Sequence, residues 1–144
     1  MDNKLMTFEN AAFGKIRTLT IDGEPWFVAV DVCRALEIGN PTDAMHRLDA
    51  DERTLVSIEG ASNGLPVNAV NEPGLYTLIL GSRKPEAKAF KRWITHEVIP
   101  AIRKYGGYMT KSLLEQVLEN PNLIYEFARR MLAEQQKNER LRQE

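Results

Sequence analysis

Residues Asn71 to Tyr108 read NEPGLYTLILGSRKPEAKAFKRWITHEVIPAIRKYGGY, and this stretch organises the chain. It opens with Asn71-Glu72-Pro73, a helix start. A side chain that can cap is followed by an acid and by a proline whose missing N–H costs nothing in the first turn. Leu75, Tyr76, Leu78, Ile79 and Leu80 make the short helix that follows apolar nearly all round, which predicts burial. Gly81-Ser82 ends it, and Pro85 opens a second, longer helix. Pro100 falls inside that helix and removes one backbone hydrogen bond. A kink or stop is expected near Ile99, then a last turn through Arg103 closed by Gly106-Gly107.

At ~100° per residue the second helix has two opposed sides. Ala87, Phe90, Trp93 and Ile94 share one. Lys84, Lys88, Lys91, Arg92 and Thr95 share the other. Like charges at these spacings repel by a few tenths of a kcal/mol each. The plain explanation is a solvated helix face. The functional one is a surface for phosphates or for an acidic partner.

The chain has a net charge of −1, unevenly spread. From Asp22 to Glu72, 10 acids face 3 bases. From Pro73 to Tyr105, 7 bases face 2 acids. Such a polar molecule can take anions on one side, or bind itself or a protein head to tail.

Towards the N-terminus, Phe8 to Asp22 reads as one strand, Asp22-Gly23 as a tight turn and Pro25 to Val30 as the return strand. Asp31 then begins a short helix, Val32 to Leu36. Asn40-Pro41 caps and starts another, Thr42 to Leu48. Asp49 to Arg53 is a polar connection. Thr54 to Ile58 and Leu65 to Val70 form a second hairpin around the loop Gly60 to Gly64.

Beyond Thr110, Asn120-Pro121 separates a short helix, Ser112 to Leu118, from a longer one starting at Asn122. In the latter, Ile124, Phe127, Met131, Glu134, Asn138 and Leu141 alternate steps of three and four, the spacing of a heptad seam. Its second half is nearly all charged or amide. A solvated linker and the start of a dimerising coiled coil both fit. Ile124, Phe127 and Met131 are the candidate oligomerisation residues. The pattern breaks off without a stop signal, and a further domain is expected downstream.

A chain of 144 residues suits one domain with an appendage. No apolar run reaches membrane-spanning length, no stretch reads as a signal peptide, and the one cysteine, Cys33, has no disulfide partner in the chain. These features predict a soluble cytoplasmic protein without membrane association. Enzyme chemistry finds little support. His46 and His96 have no second ligand at metal spacing. Adjacent His96 and Glu97 point apart on a helix. No phosphate-loop pattern is present, and Asp49, Asp51 and Glu52 lack the remainder of a calcium loop. A non-enzymatic protein without cofactor or metal is expected. Trp26 and Trp93 could serve as stacking platforms for bases, but Trp26 lies in an apolar strand and Trp93 opposite the basic side, so core roles are expected for both.

The run Gly23-Glu24-Pro25-Trp26-Phe27-Val28-Ala29-Val30-Asp31-Val32-Cys33-Arg34-Ala35-Leu36, then Asn40-Pro41, Asn71 to Tyr76, Ser82 to Ala87, Phe90 to Arg103 and Gly107-Tyr108, resembles the N-terminal domain of the BRO family. The resemblance covers Phe8 to Tyr108. One departure is Glu37-Ile38, where the family often has glycine and an aromatic residue; a changed loop is expected there. Family members occur in phages and prophages as antirepressors, and in large DNA viruses of insects.

The resemblance implies an α+β fold: a small mixed sheet of two β-hairpins packed with several helices, over residues 1–109. A helical extension, 110–144, follows. It implies DNA binding in transcriptional control of lysogeny, or instead the capture of a phage repressor protein without DNA contact. The expected phosphate contacts are Lys84, Lys88, Lys91 and Arg92, flanked by Arg83, Arg103 and Lys104. Asn63 and Asn68 are weaker candidates for touching bases. For repressor capture, the acidic segment Asp22 to Glu72 would mimic phosphate. A homo-oligomer through the last helix is expected in either case.

Overall fold

The computed structural model describes residues 6–10, 14–58 and 65–143. The chain divides into two compact units, Met1–Glu97 and Val98–Glu144. The boundary falls earlier than the expected one after Met109.

The first unit is built on a five-stranded sheet in the order β1-β2-β3-β5-β4. The strands are β1 (Met6–Asn10), β2 (Gly14–Ile21), β3 (Glu24–Val28), β4 (Arg53–Ser57) and β5 (Pro66–Asn71). Every neighbouring pair is antiparallel, so the sheet is not mixed as expected. The class is α+β. The single strand expected over Phe8 to Asp22 is two strands. Asn10 lies opposite Gly14, whose φ of +78° suits glycine. The Asp22-Gly23 turn is where expected: φ is positive at both residues, 52° and 80°, as a two-residue hairpin loop requires. The Gly60 to Gly64 loop, Asn63 included, lies outside the described residues.

Helix α1 (Ala29–Ala35) begins earlier than the expected Val32, and β3 stops at Val28 rather than Val30. An apolar Val-Ala-Val run has no periodicity to mark that boundary. Asp31, in the first turn, reaches back to Arg17 on β2, which holds the chain in helix there. At the other end, Glu37 takes the left-handed conformation at φ 58°. Its N–H donates to the Arg34 carbonyl, and that of Ile38 to the Cys33 carbonyl at 2.8 Å. This pair of bonds is a Schellman closure, built here on a non-glycine residue.

Helix α2 (Pro41–His46) starts as expected, with Asn40 Oδ1 accepting the Asp43 N–H at 3.0 Å. It ends short of the expected Leu48, and Arg53 Nη1 donates to the Met45 carbonyl at 3.0 Å. A 3₁₀ turn, Ala50–Glu52, leads into β4. Helices α3 (Glu72–Leu80) and α4 (Pro85–Trp93) complete the unit.

Both sheet faces carry apolar clusters. On one, Ile16, Phe27 and Val70 meet the helices through Val32, Cys33, Leu36, Met45, Leu78 and Ala87. On the other, Leu19, Val28, Val56, Ile58 and Ala69 cluster, with Trp26 half-buried at the margin. Each fully buried aliphatic side chain contributes about 1.5–3 kcal/mol.

The expectation that α3 is buried all round is not met: Gly74 and Leu78 are buried, while Tyr76 and Leu80 are exposed. Its neighbours are β3, β5, the Ala50–Glu52 turn and α4, which leave Leu80 and part of Tyr76 open to solvent. A π-turn, Ile94–Val98, lies just before Pro100 and marks the disturbance expected near Ile99.

The second unit is helical: α5 (Ile99–Tyr105), α6 (Lys111–Glu119) and α7 (Asn122–Gln143). Helix α5 runs past Arg103 and closes on Gly106 at φ 83°, whose N–H donates to the Ile102 carbonyl. Thr110 caps α6 by accepting the Leu113 N–H at 3.2 Å. No helix among the described residues is long and apolar enough to cross a membrane.

Candidate nucleic-acid interface

Helix α4 is held at its start by a chain of polar contacts to the end of α1. Ser82 Oγ donates to the Leu36 carbonyl at 2.9 Å and accepts the Lys84 N–H at 3.2 Å. Lys84 Nζ donates to the Ala35 carbonyl at 2.8 Å. The Ser82–Lys84 link therefore satisfies helix-end carbonyls that have no partner within α1. Lys84, expected on the phosphate stripe, has its ammonium turned to the fold and is half-buried. The reason is a contact 49 positions away in sequence.

Lys88, Lys91 and Arg92 are exposed on α4, and Arg83 is exposed in the loop before it. Lys88 lies three and four residues from the other two, about 5–6 Å between Cβ atoms in a helix. Lys91 and Arg92 lie in the turn before the π-turn Ile94–Val98, through which the chain continues helically into α5. None of the four forms an ion pair with another described residue. Arg103 and Lys104 are exposed in the last turn of α5, in the second unit.

The aromatic residues of α4 form a row with α3. Tyr76 and Phe90 stack, with ring centroids 6.1 Å apart and planes at 16°. Phe90 meets Trp93 at 5.8 Å and 51°. Trp93 was expected in the core but keeps 39 % of its surface exposed. Tyr76 donates to Glu72 Oε1 at 2.6 Å, and this bond, with burial and the carboxylate charge, pushes its phenol up to about 12.

The acidic segment is partly consumed by the fold. Asp31 is buried and accepts from Arg17 Nε at 2.7 Å, Arg17 Nη2 at 3.0 Å and the Arg17 backbone N–H at 2.9 Å. Arg34 adds a contact at 3.2 Å. Burial raises the Asp31 carboxyl, but the Arg17 hydrogen bonds and charge, with Arg34, outweigh it and hold the group below its ordinary value. This ion pair, buried on its Asp31 side, was missed in the sequence; only an acid inside an apolar run signalled it. Glu52 Oε1 accepts the Asp49 N–H at 2.9 Å, which gives the Asp49–Glu52 group a role as a turn cap.

Of the groups considered for catalysis, Cys33 is buried, and burial pushes its thiol up against a smaller pull from the Arg47 charge. His96 Nδ1 lies 3.0 Å from the Arg92 carbonyl oxygen, a local contact on its own helix. Asn68 is exposed on β5.

The first unit is thus an α+β domain whose exposed basic side chains on α4 form no ion pair with another described residue. The model of the BRO family N-terminal domain matches residues 15–100, and the chain belongs to that family. It is 38 % identical over 89 residues to an uncharacterized protein of Haemophilus influenzae, covering 60 % of this chain and 43 % of that protein. It is 29 % identical over 119 residues to a Bro-N domain-containing protein of Invertebrate iridescent virus 3, covering 67 % and 29 % respectively. A Bro-N domain-containing protein of Invertebrate iridescent virus 6 is 27 % identical over 126 residues, with 73 % of this chain and 30 % of the viral protein covered. The chain thus spans less than half the length of these curated relatives. No solved structure matches it.

Proposed function

We propose that this BRO-type domain is a non-catalytic regulatory module that associates with DNA through α4 and acts in transcriptional control of phage or prophage lysogeny, opposing a repressor. The observation that carries the reading is the group Arg83, Lys88, Lys91 and Arg92. All four are exposed, and none pairs with a described acid. Uncompensated like charges at helical spacing cost stability, and a polyanion removes that cost. The contacts would be to phosphates, giving affinity that is independent of sequence and steep in salt.

The test is fluorescence anisotropy of a labelled mixed-sequence duplex titrated at several salt concentrations. Binding that weakens steeply with salt, and that Lys88→Glu with Lys91→Glu abolishes, is the expected result. Affinity that survives the double reversal removes α4 from the interface. No binding at low salt turns the conclusion to repressor capture through the acidic segment. Asp31 of that segment is ion-paired inside the domain, whereas the groups bonded to Glu52 and Glu72, a backbone N–H and a phenol, are neutral and leave those charges in place.

A further inference from the structure

The second unit has three helices and almost no interior. Val117 is its one buried residue among those described, at 9 % exposure. Yet 11 of the 17 exposed large apolar side chains among the described residues belong to this unit. A unit of this size rarely stabilises itself by more than ~3–5 kcal/mol even with a well-filled core.

The exposed groups are not scattered. Tyr105, Leu114, Ile124, Phe127 and Met131 line an open groove of about 740 Å³, together with the Gly106–Met109 segment. No charged side chain lines it, so a polyanion has nothing to hold there. Its occupant must offer an apolar surface.

We infer that the occupant is a second copy of this chain, with the N-terminal half of α7 from each copy seated in the groove of the other. Ile124, Phe127 and Met131 are at once the ridge, by their three-and-four spacing, and part of the groove wall. A patch that is both ridge and wall is self-complementary, as a two-fold interface requires. The area is sufficient. Tyr105 is 83 % exposed and the other four named residues 36–53 %. Together they offer roughly 500–600 Å² per copy, so full burial in a pair would cover about 1,000–1,200 Å², the threshold of a specific interface. The contact ends near Met131, because Glu134 and Asn138 replace the apolar residues of the seam. This inference does not depend on DNA binding.

Sedimentation of the full chain over a range of concentrations tests it. Mass should rise from one chain to two. Phe127→Asp with Met131→Asp should weaken the dimer at least about 100-fold, as truncating two interface anchors does. Leu141→Asp, beyond the contact, should leave it unchanged. Fluorescence of Trp26 and Trp93, both in the first unit, checks that the variants keep that fold. Amide exchange on the unaltered chain gives an independent readout: protection from Ile124 to Met131 should grow with concentration. One-chain mass throughout, a dimer indifferent to the double change, equal disruption by Leu141→Asp, or exchange independent of concentration would each overturn the inference.

Discussion

Arg17 and Asp31 show how one buried charge sets a chain boundary. The carboxylate accepts three hydrogen bonds from Arg17 alone, linking β2 to the first turn of α1. Arg17→Met leaves that carboxylate buried with only exposed Arg34 beside it. The expected loss is about 2–3 kcal/mol by denaturant titration, less than for a fully buried pair because Arg17 is partly solvated. The pH dependence follows from the depressed pKa. The pair's contribution is present above the ordinary carboxylate pKa and is lost as pH falls through the lower native value, so acid unfolding of the wild type should include a component that Asp31→Asn lacks. Gly74 makes the complementary case. A Cβ there would sit 2.9 Å from the Glu52 carbonyl oxygen and 3.3 Å from Val70 Cβ. Helix propensity alone favours Gly74→Ala by up to ~1 kcal/mol. The clash with backbone should reverse the sign, and a net loss of about 1–2 kcal/mol is expected in thermal unfolding.

Among the elements, starts were legible and pairings between distant segments were not. Asn40 and Asn71 both cap the helices that their Asn-Pro and Asn-Glu-Pro contexts predict. Asp22-Gly23 makes the turn it predicts. These signals are local, written in residues that touch one another. The division of β1 from β2, the early end of β3 and the turning of Lys84 into the fold depend on partners far along the chain, and no spacing rule carries them. The basic side of α4 was legible from periodicity. Lys84 shares the angle of that stripe and not its environment. Glu37 is a departure whose structural meaning is now specific. It holds the left-handed corner that closes α1, at a cost of roughly 1–2 kcal/mol relative to glycine. Glu37→Gly should recover about 1 kcal/mol and raise the midpoint of thermal unfolding, since the conformation is kept and its strain removed. A fall in the midpoint would mean that the Glu37 side chain makes an interaction worth more than that strain.

At the scale of the whole molecule, segment charge was legible in the sequence while its availability was not. The structure turns Lys84 away from the positive surface and buries Asp31 of the negative segment in an ion pair. What remains exposed on α4 is quantitative enough to test. Removing one phosphate-neutralising cation lowers the salt slope of duplex binding by ~0.9. Lys88→Ala with Lys91→Ala should therefore flatten the slope by about 1.8 if both lysines meet phosphates. Lys84→Met should leave the slope alone and lower stability instead.

The central pairing of the sheet has a kinetic consequence. β3 and β5 join through Trp26 opposite Asn71, Phe27 opposite Val70 and Val28 opposite Ala69, with α1, α2 and β4 strung between them. Closing so long a loop costs about 3 kcal/mol of chain entropy before the pairing returns anything. The β2–β3 hairpin can form early, but the sheet cannot be completed until that loop closes. Trp26 sits on the closing seam at the edge of an apolar cluster, so its emission should change with the slow phase of refolding rather than with the burst.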